Sequence, residues 1–91
     1  MAVVAIKIKA LPESPETNLE ELKTKITGAL TAAGAIKINS ITEEPIAFGL
    51  IALIIFLAWP EEKDTSLAED AVKNIPGVSS EEIIDYRRAF G

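Results

Sequence analysis

Val4, Ile6, Ile8 and Ala10 alternate with Val3, Ala5, Lys7 and Lys9, a period of two that predicts a strand over Val3–Ala10 with both lysines on one side. The stretch Leu11-Pro12-Glu13-Ser14-Pro15 reads as a breaker, because two prolines three apart fit neither a helix interior nor a central strand. Beyond it the period changes. Leu19, Leu22, Ile26, Ala29 and Leu30 recur at three- and four-residue intervals and predict an amphipathic helix. Thr17 and Glu20 form its expected capping box, and Gly34 its stop. Ile36 and Ile38 alternate with Lys37 and Asn39 as a weaker second strand, and Ser40–Glu44 is polar enough for a sheet edge or a bend.

The third strand, Phe48–Ala58, is the most apolar part of the chain. Every residue from Ile46 to Trp59 is apolar or glycine, yet the run falls short of the ~20 residues a membrane helix needs. Its Ile and Phe content suits a strand buried on both faces. An acidic loop, Pro60–Asp64, separates it from a short helix with Ser66 and Glu69 as capping box. Leu67, Ala68, Ala71, Val72 and Ile75 share one face of that helix, and Pro76-Gly77 ends it. A last strand takes Val78 to about Arg87, with Ile84 and Tyr86 facing one way and Asp85 and Arg87 the other.

The order strand, helix, strand, strand, helix, strand predicts an α+β, ferredoxin-like sandwich (βαββαβ). Two helices lie on one face of a four-stranded antiparallel sheet, with strands one and three central. Strand three is apolar on both of its alternating faces. The sheet face without helices is therefore expected to expose an apolar stripe, fit for a partner or for weak self-association, unless long lysine stems cover it.

Composition narrows the chemistry. Ninety-one residues suit one domain over residues 1–91. The absence of cysteine and histidine removes disulfides, thiolate chemistry, most metal sites and proton shuttling at neutral pH. A net charge of −5 argues against sequence-independent nucleic-acid binding. An RNA reader of this architecture displays aromatics on strand one, where this chain has none. An acylphosphatase-type hydrolase wants an arginine-bearing anion loop where Leu11–Pro15 offers no arginine. Glu43-Glu44 and Glu61-Glu62 read as solvated carboxylates, so no metal and no cofactor is expected. No basic leader or cleavage site opens the chain, and a cytoplasmic, non-membrane protein is expected.

Three stretches carry more than architecture: Glu16-Thr17-Asn18-Leu19-Glu20-Glu21-Leu22, Pro45-Ile46-Ala47-Phe48-Gly49, and Asp85-Tyr86-Arg87-Arg88. In their order and spacing they resemble the archaeal translation elongation factor 1-beta family, over essentially the whole chain. That resemblance implies a guanine-nucleotide exchange factor acting on translation elongation factor 1-alpha, a GTPase, with no covalent chemistry of its own. It implies a partner-binding loop at Pro45, Ile46, Ala47, Phe48 and Gly49 whose aromatic, Phe48, enters a pocket of the GTPase. It also implies a basic end, Arg88 with Arg87 beside it, that faces the GTPase's magnesium and phosphate site.

The eukaryotic pattern has lysine at the basic position and a lysine-rich start to strand three, here Arg88 and Leu50-Ile51-Ala52. From position alone, Phe48 reads as a packing residue at a strand end or as an interface anchor held between Pro45 and Gly49. Arg87 and Arg88 read equally as solvated surface charges. The competing function is a small regulatory ligand-binding domain that self-associates.

Overall fold

The computed structural model describes residues 2–90. The strands are β1 (Val3–Pro12), β2 (Lys37–Pro45), β3 (Ile51–Pro60) and β4 (Val78–Phe90), and the helices are α1 (Leu19–Ala33) and α2 (Ser66–Lys73). The sheet runs β2-β3-β1-β4 with every neighbouring pair antiparallel, so β1 and β3 are central and the expected ferredoxin-like sandwich is the fold.

The core lies between the helices and one sheet face. Val4, Ile6, Ile8 and Ala10 of β1 meet Leu53, Ile55, Leu57 and Trp59 of β3 beneath Leu22, Ile26, Leu30, Ala68 and Val72 of the helices. Each is at most 2% exposed, which makes the period-two and period-3.6 stripes of the sequence one apolar interior. Leu67 departs from that stripe. It is 45% exposed, because the eight-residue α2 rests on the sheet mainly through Ala68 and Val72.

Both capping boxes move. Asn18, not Thr17, caps α1, its side-chain oxygen accepting from the Glu21 N–H at 3.1 Å. Thr17 instead closes the preceding turn, accepting from the Ser14 N–H. At α2 Ser66 is already helical, and Asp64 Oδ1 accepts from the Ser66 N–H at 2.9 Å. That backbone N–H, with the Ser66 hydroxyl, holds the Asp64 carboxyl below its usual range.

Strand ends shift for similar local reasons. β1 runs on through Leu11 to a buried Pro12, since a strand's last residue needs no N–H for the ladder. β2 continues through Ser40–Glu44 as an edge strand, with a register shift between Ile38 and Ser40. β3 starts only at Ile51, so Phe48, Gly49 and Leu50 lie outside the strand predicted to contain them.

β4 pairs with β1 through three irregularities, at Val3/Val4, Lys7/Ile8 and Leu11/Pro12. At the middle one, Ile83 stands opposite Ile8 and packs on the core, while Ile84 is left without a partner and 46% exposed. The alternation that joined Ile84 to Tyr86 therefore breaks at a bulge. Ser79 Oγ ties the third irregularity by donating to the Leu11 and Pro12 carbonyls.

The helix-free face does not carry a bare stripe. Ile54 and Phe56 are half-buried and Ala52 is buried. The Lys7 ammonium stands 5.6 Å from the Phe56 ring centroid, and Lys9 pairs with Glu44 at 3.5 Å across β3. Lysine stems cover the face, which takes away the feature that suggested self-association.

Candidate functional site

β2 turns into β3 through residues 46–50. The Ile46 N–H donates to the Leu50 carbonyl, and the Leu50 N–H returns to the Ala47 carbonyl. Within this one-turn 3-10 segment (Ala47–Gly49) Phe48 takes φ 63° and ψ 28°, and Gly49 takes φ 75°. Two consecutive left-handed residues reverse the chain tightly, which glycine tolerates and phenylalanine resists. Phe48 is 93% exposed, so its ring stands on the tip of the turn and packs on nothing. It is neither core nor strand-end packing.

Neighbouring segments brace the turn. A Cβ placed on Gly49 would meet the Pro15 ring at 3.8 Å, so the Pro12–Thr17 loop lies against its back. Ile46 and Ala47 line a groove with Lys9, Leu11, Ser80 and Glu82 at the same end of the sheet. Pro45, pairing with Ile51, closes the ladder below.

The two arginines diverge. Arg87 stands opposite Ala5 on the helix-free face, paired with Asp85 at 3.2 Å, and lines a groove with Lys7 and Phe56. Arg88 stands opposite Val4, in the row that also contains Trp59 and faces the helices. Its Nε donates to Glu61 Oε2 at 2.6 Å, and its second guanidinium arm donates to Glu61 Oε1. This fork holds the Glu61 carboxyl below its ordinary range and raises Arg88 further above its own.

The structure brings Pro45, Ile46, Ala47, Phe48 and Gly49 together in one turn and leaves the arginines elsewhere. Val4, opposite Arg88, and Ala10, opposite Leu53, are about 20 Å apart along β1, and Phe48 lies farther out still. The candidate residues thus occupy opposite ends of a body 41 Å long. The sequence presents Glu61 only as a solvated carboxylate and gives no sign of its pairing with Arg88. Glu61 sits far from Arg88 along the chain, and only the β3-β1-β4 order brings the two together.

Adjacent carboxylates point apart rather than converge. Glu43 pairs with Lys23 of α1 and Glu44 with Lys9 on the other face. Among the described residues no group of three or more acidic side chains gathers to hold a metal ion, and no helix is long and apolar enough to cross a membrane.

Residues 5–88 match the family model described as the EF-1 guanine nucleotide exchange domain. The chain is 48% identical to the elongation factor 1-beta of Methanosarcina barkeri, over 97% of this chain and 99% of that protein. It is 43% identical to the elongation factor 1-beta of Methanobrevibacter smithii, over 97% and 98%. With the elongation factor 1-beta of Staphylothermus marinus it shares 46% identity, over 91% and 92%. A match that runs from β1 into β4 takes in both the exposed-aromatic turn and Arg88, and with it the chain belongs to the EF-1 guanine nucleotide exchange domain family.

Proposed function

We propose that this protein is a guanine-nucleotide exchange factor for translation elongation factor 1-alpha, acting by binding and not by covalent chemistry. The observation that carries this reading is Phe48, a fully presented aromatic on a strained, braced turn. A protein that keeps a phenylalanine at φ 63° with no packing return supplies an anchor for a partner's pocket. Arg88, at the far end, supplies a fixed cation for the GTPase's phosphate and magnesium region. Arg87, whose side chain lies on the opposite face of β4, supplies a separate contact of its own.

Exchange needs no bond made or broken. The factor binds best to a GTPase state whose nucleotide contacts are loosened, and linkage requires nucleotide to weaken factor binding by the same ratio. A thousandfold faster GDP release corresponds to about 4 kcal/mol of barrier. A desolvated aromatic anchor and a placed cation are of that size, since hot-spot side chains each contribute about 2–4 kcal/mol.

The test is release of fluorescent GDP from purified elongation factor 1-alpha as the factor is titrated. Phe48→Ala is expected to slow release at least tenfold, mainly by raising the factor concentration needed for half-maximal effect. A wild-type titration curve for that variant would overturn the reading.

A further inference from the structure

We infer that Glu61 is a positioning residue for Arg88, holding the guanidinium side-on so that its free edge faces an incoming phosphate. The inference rests on the exchange reading above. Glu61 follows the last residue of β3, and its N–H donates to the Ala2 carbonyl at 3.1 Å, so its backbone is tied to the start of β1. Arg88 sits one strand farther on, opposite Val4. The two long side chains meet across the start of β1.

The pairing is directional. Glu61 takes the Nε edge of the guanidinium, with Nε to Oε2 at 2.6 Å and the second contact from one arm. An arginine has five N–H donors in a rigid plane, and a side-on fork uses two of them. Among the described residues Glu61 alone bonds the guanidinium, so the edge formed by the two terminal nitrogens keeps a matching pair of donors, the geometry that binds a phosphate or carboxylate. Exposure is asymmetric in the same sense. The Arg88 side chain is 65% exposed and that of Glu61 26%, so the carboxylate is tucked in behind and the cation is presented.

A flexible arginine loses rotamer freedom when a partner captures it. An arginine already clamped by Glu61 has lost that freedom before encounter, so the cost does not fall on the nucleotide-release step. Clamping differs from storage, because the partner can use the outer edge with the inner fork intact.

The experiment measures GDP release from elongation factor 1-alpha at saturating factor, together with the half-saturating factor concentration. Glu61→Ala is expected to lower the maximal rate about 3- to 10-fold, the range that ordering one long side chain covers, with half-saturation little changed. Glu61→Gln, whose amide oxygen still accepts from one N–H, is expected to restore most of that loss. In an Arg88→Ala background, Glu61→Ala is expected to do nothing further.

A faster rate for Glu61→Ala would show that the carboxylate restrains Arg88, and an equal loss in the Arg88→Ala background would show an effect through the fold. Either result overturns the inference. The free protein gives a reading without the GTPase: the Arg88 Nε proton is expected to exchange slowly with solvent in wild type and fast in Glu61→Ala. Fast exchange in both overturns the clamp itself. If Arg88→Ala alone leaves release unchanged while the clamp is intact, the role of Arg88 in exchange fails instead.

Discussion

At Phe48 a φ of 63° places a side-chain-bearing residue in the left-handed region at a cost of about 1–2 kcal/mol, and 93% exposure means packing offsets little of it. Asparagine tolerates that region. Phe48→Asn is therefore expected to raise unfolding stability in denaturant by about 0.5–1 kcal/mol while slowing GDP release. A loss of stability of that size would mean that the ring supports the fold after all. Glu81 shows strain of another kind. Among the described residues its Oε2 is buried without a hydrogen-bond partner. Burial first, and then the Glu69 carboxylate, push its pKa above the usual value, with Asp70 adding to the shift and Lys73 opposing it.

Because the folded pKa of Glu81 exceeds the unfolded one, its favourable contribution is complete below the unfolded value and disappears as pH rises through the folded one. Glu81→Gln is thus expected to melt higher than wild type near neutral pH, with the gap closing as pH falls into the ordinary glutamate range. A gap that stays constant with pH would remove titration as the cause. Glu61 behaves oppositely: its lowered pKa makes the Arg88 clamp a contribution that is lost only as pH falls below that range.

The elements are fastened at their ends by residues from other elements. α1 has no basic residue in its last turn, and Lys63, from the loop after β3, donates to the Ala33 carbonyl there. The same ammonium stands 5.7 Å from the centroid of the Trp59 ring, whose Nε1 donates to the Lys63 carbonyl at 3.1 Å. Gly34 leaves the space: at φ 118°, a Cβ there would lie 2.1 Å from Lys63 Nζ. Lys63→Met is expected to cost about 1 kcal/mol in thermal or denaturant unfolding and to change the emission of Trp59, the chain's one tryptophan. Gly34→Ala is expected to cost at least as much and to leave little further loss for Lys63→Met.

Periodicity foretold each of these elements, because burial on one face leaves a regular mark. It misplaced both helix caps by a residue or two, since Thr17 and Asn18, or Asp64 and Ser66, offer nearly the same chemistry. Only backbone conformation decides which of them serves. The Lys63 clasp was not legible, for it joins positions that only the fold makes neighbours.

For the whole molecule, the separation of Phe48 from Arg88 makes a simple prediction. Side chains at opposite ends of the body, meeting separate parts of one GTPase, act independently, so the rate losses of Phe48→Ala and Arg88→Ala are expected to multiply in the double variant. A double variant no slower than the worse single one would mean that both act through one contact. The turn around Phe48 was readable in part, because Pro45 and Gly49 bracket it, yet period-two reasoning carried β3 across it. No side-chain pattern marks where a ladder gives way to a left-handed turn. The Arg87-Arg88 pair was visible as charge, but not that the two point to opposite faces with different carboxylates.

β4 is one outer boundary of the sheet and runs for thirteen residues. A straight strand of that length would offer a long row of free amide and carbonyl groups to any passing chain. Three interruptions of its register bend and twist that row, so a second strand laid alongside would lose step within a few residues. The bulge that leaves Ile84 unpaired thereby guards the protein against growth into cross-β fibres, a hazard for a small body with so apolar a β3.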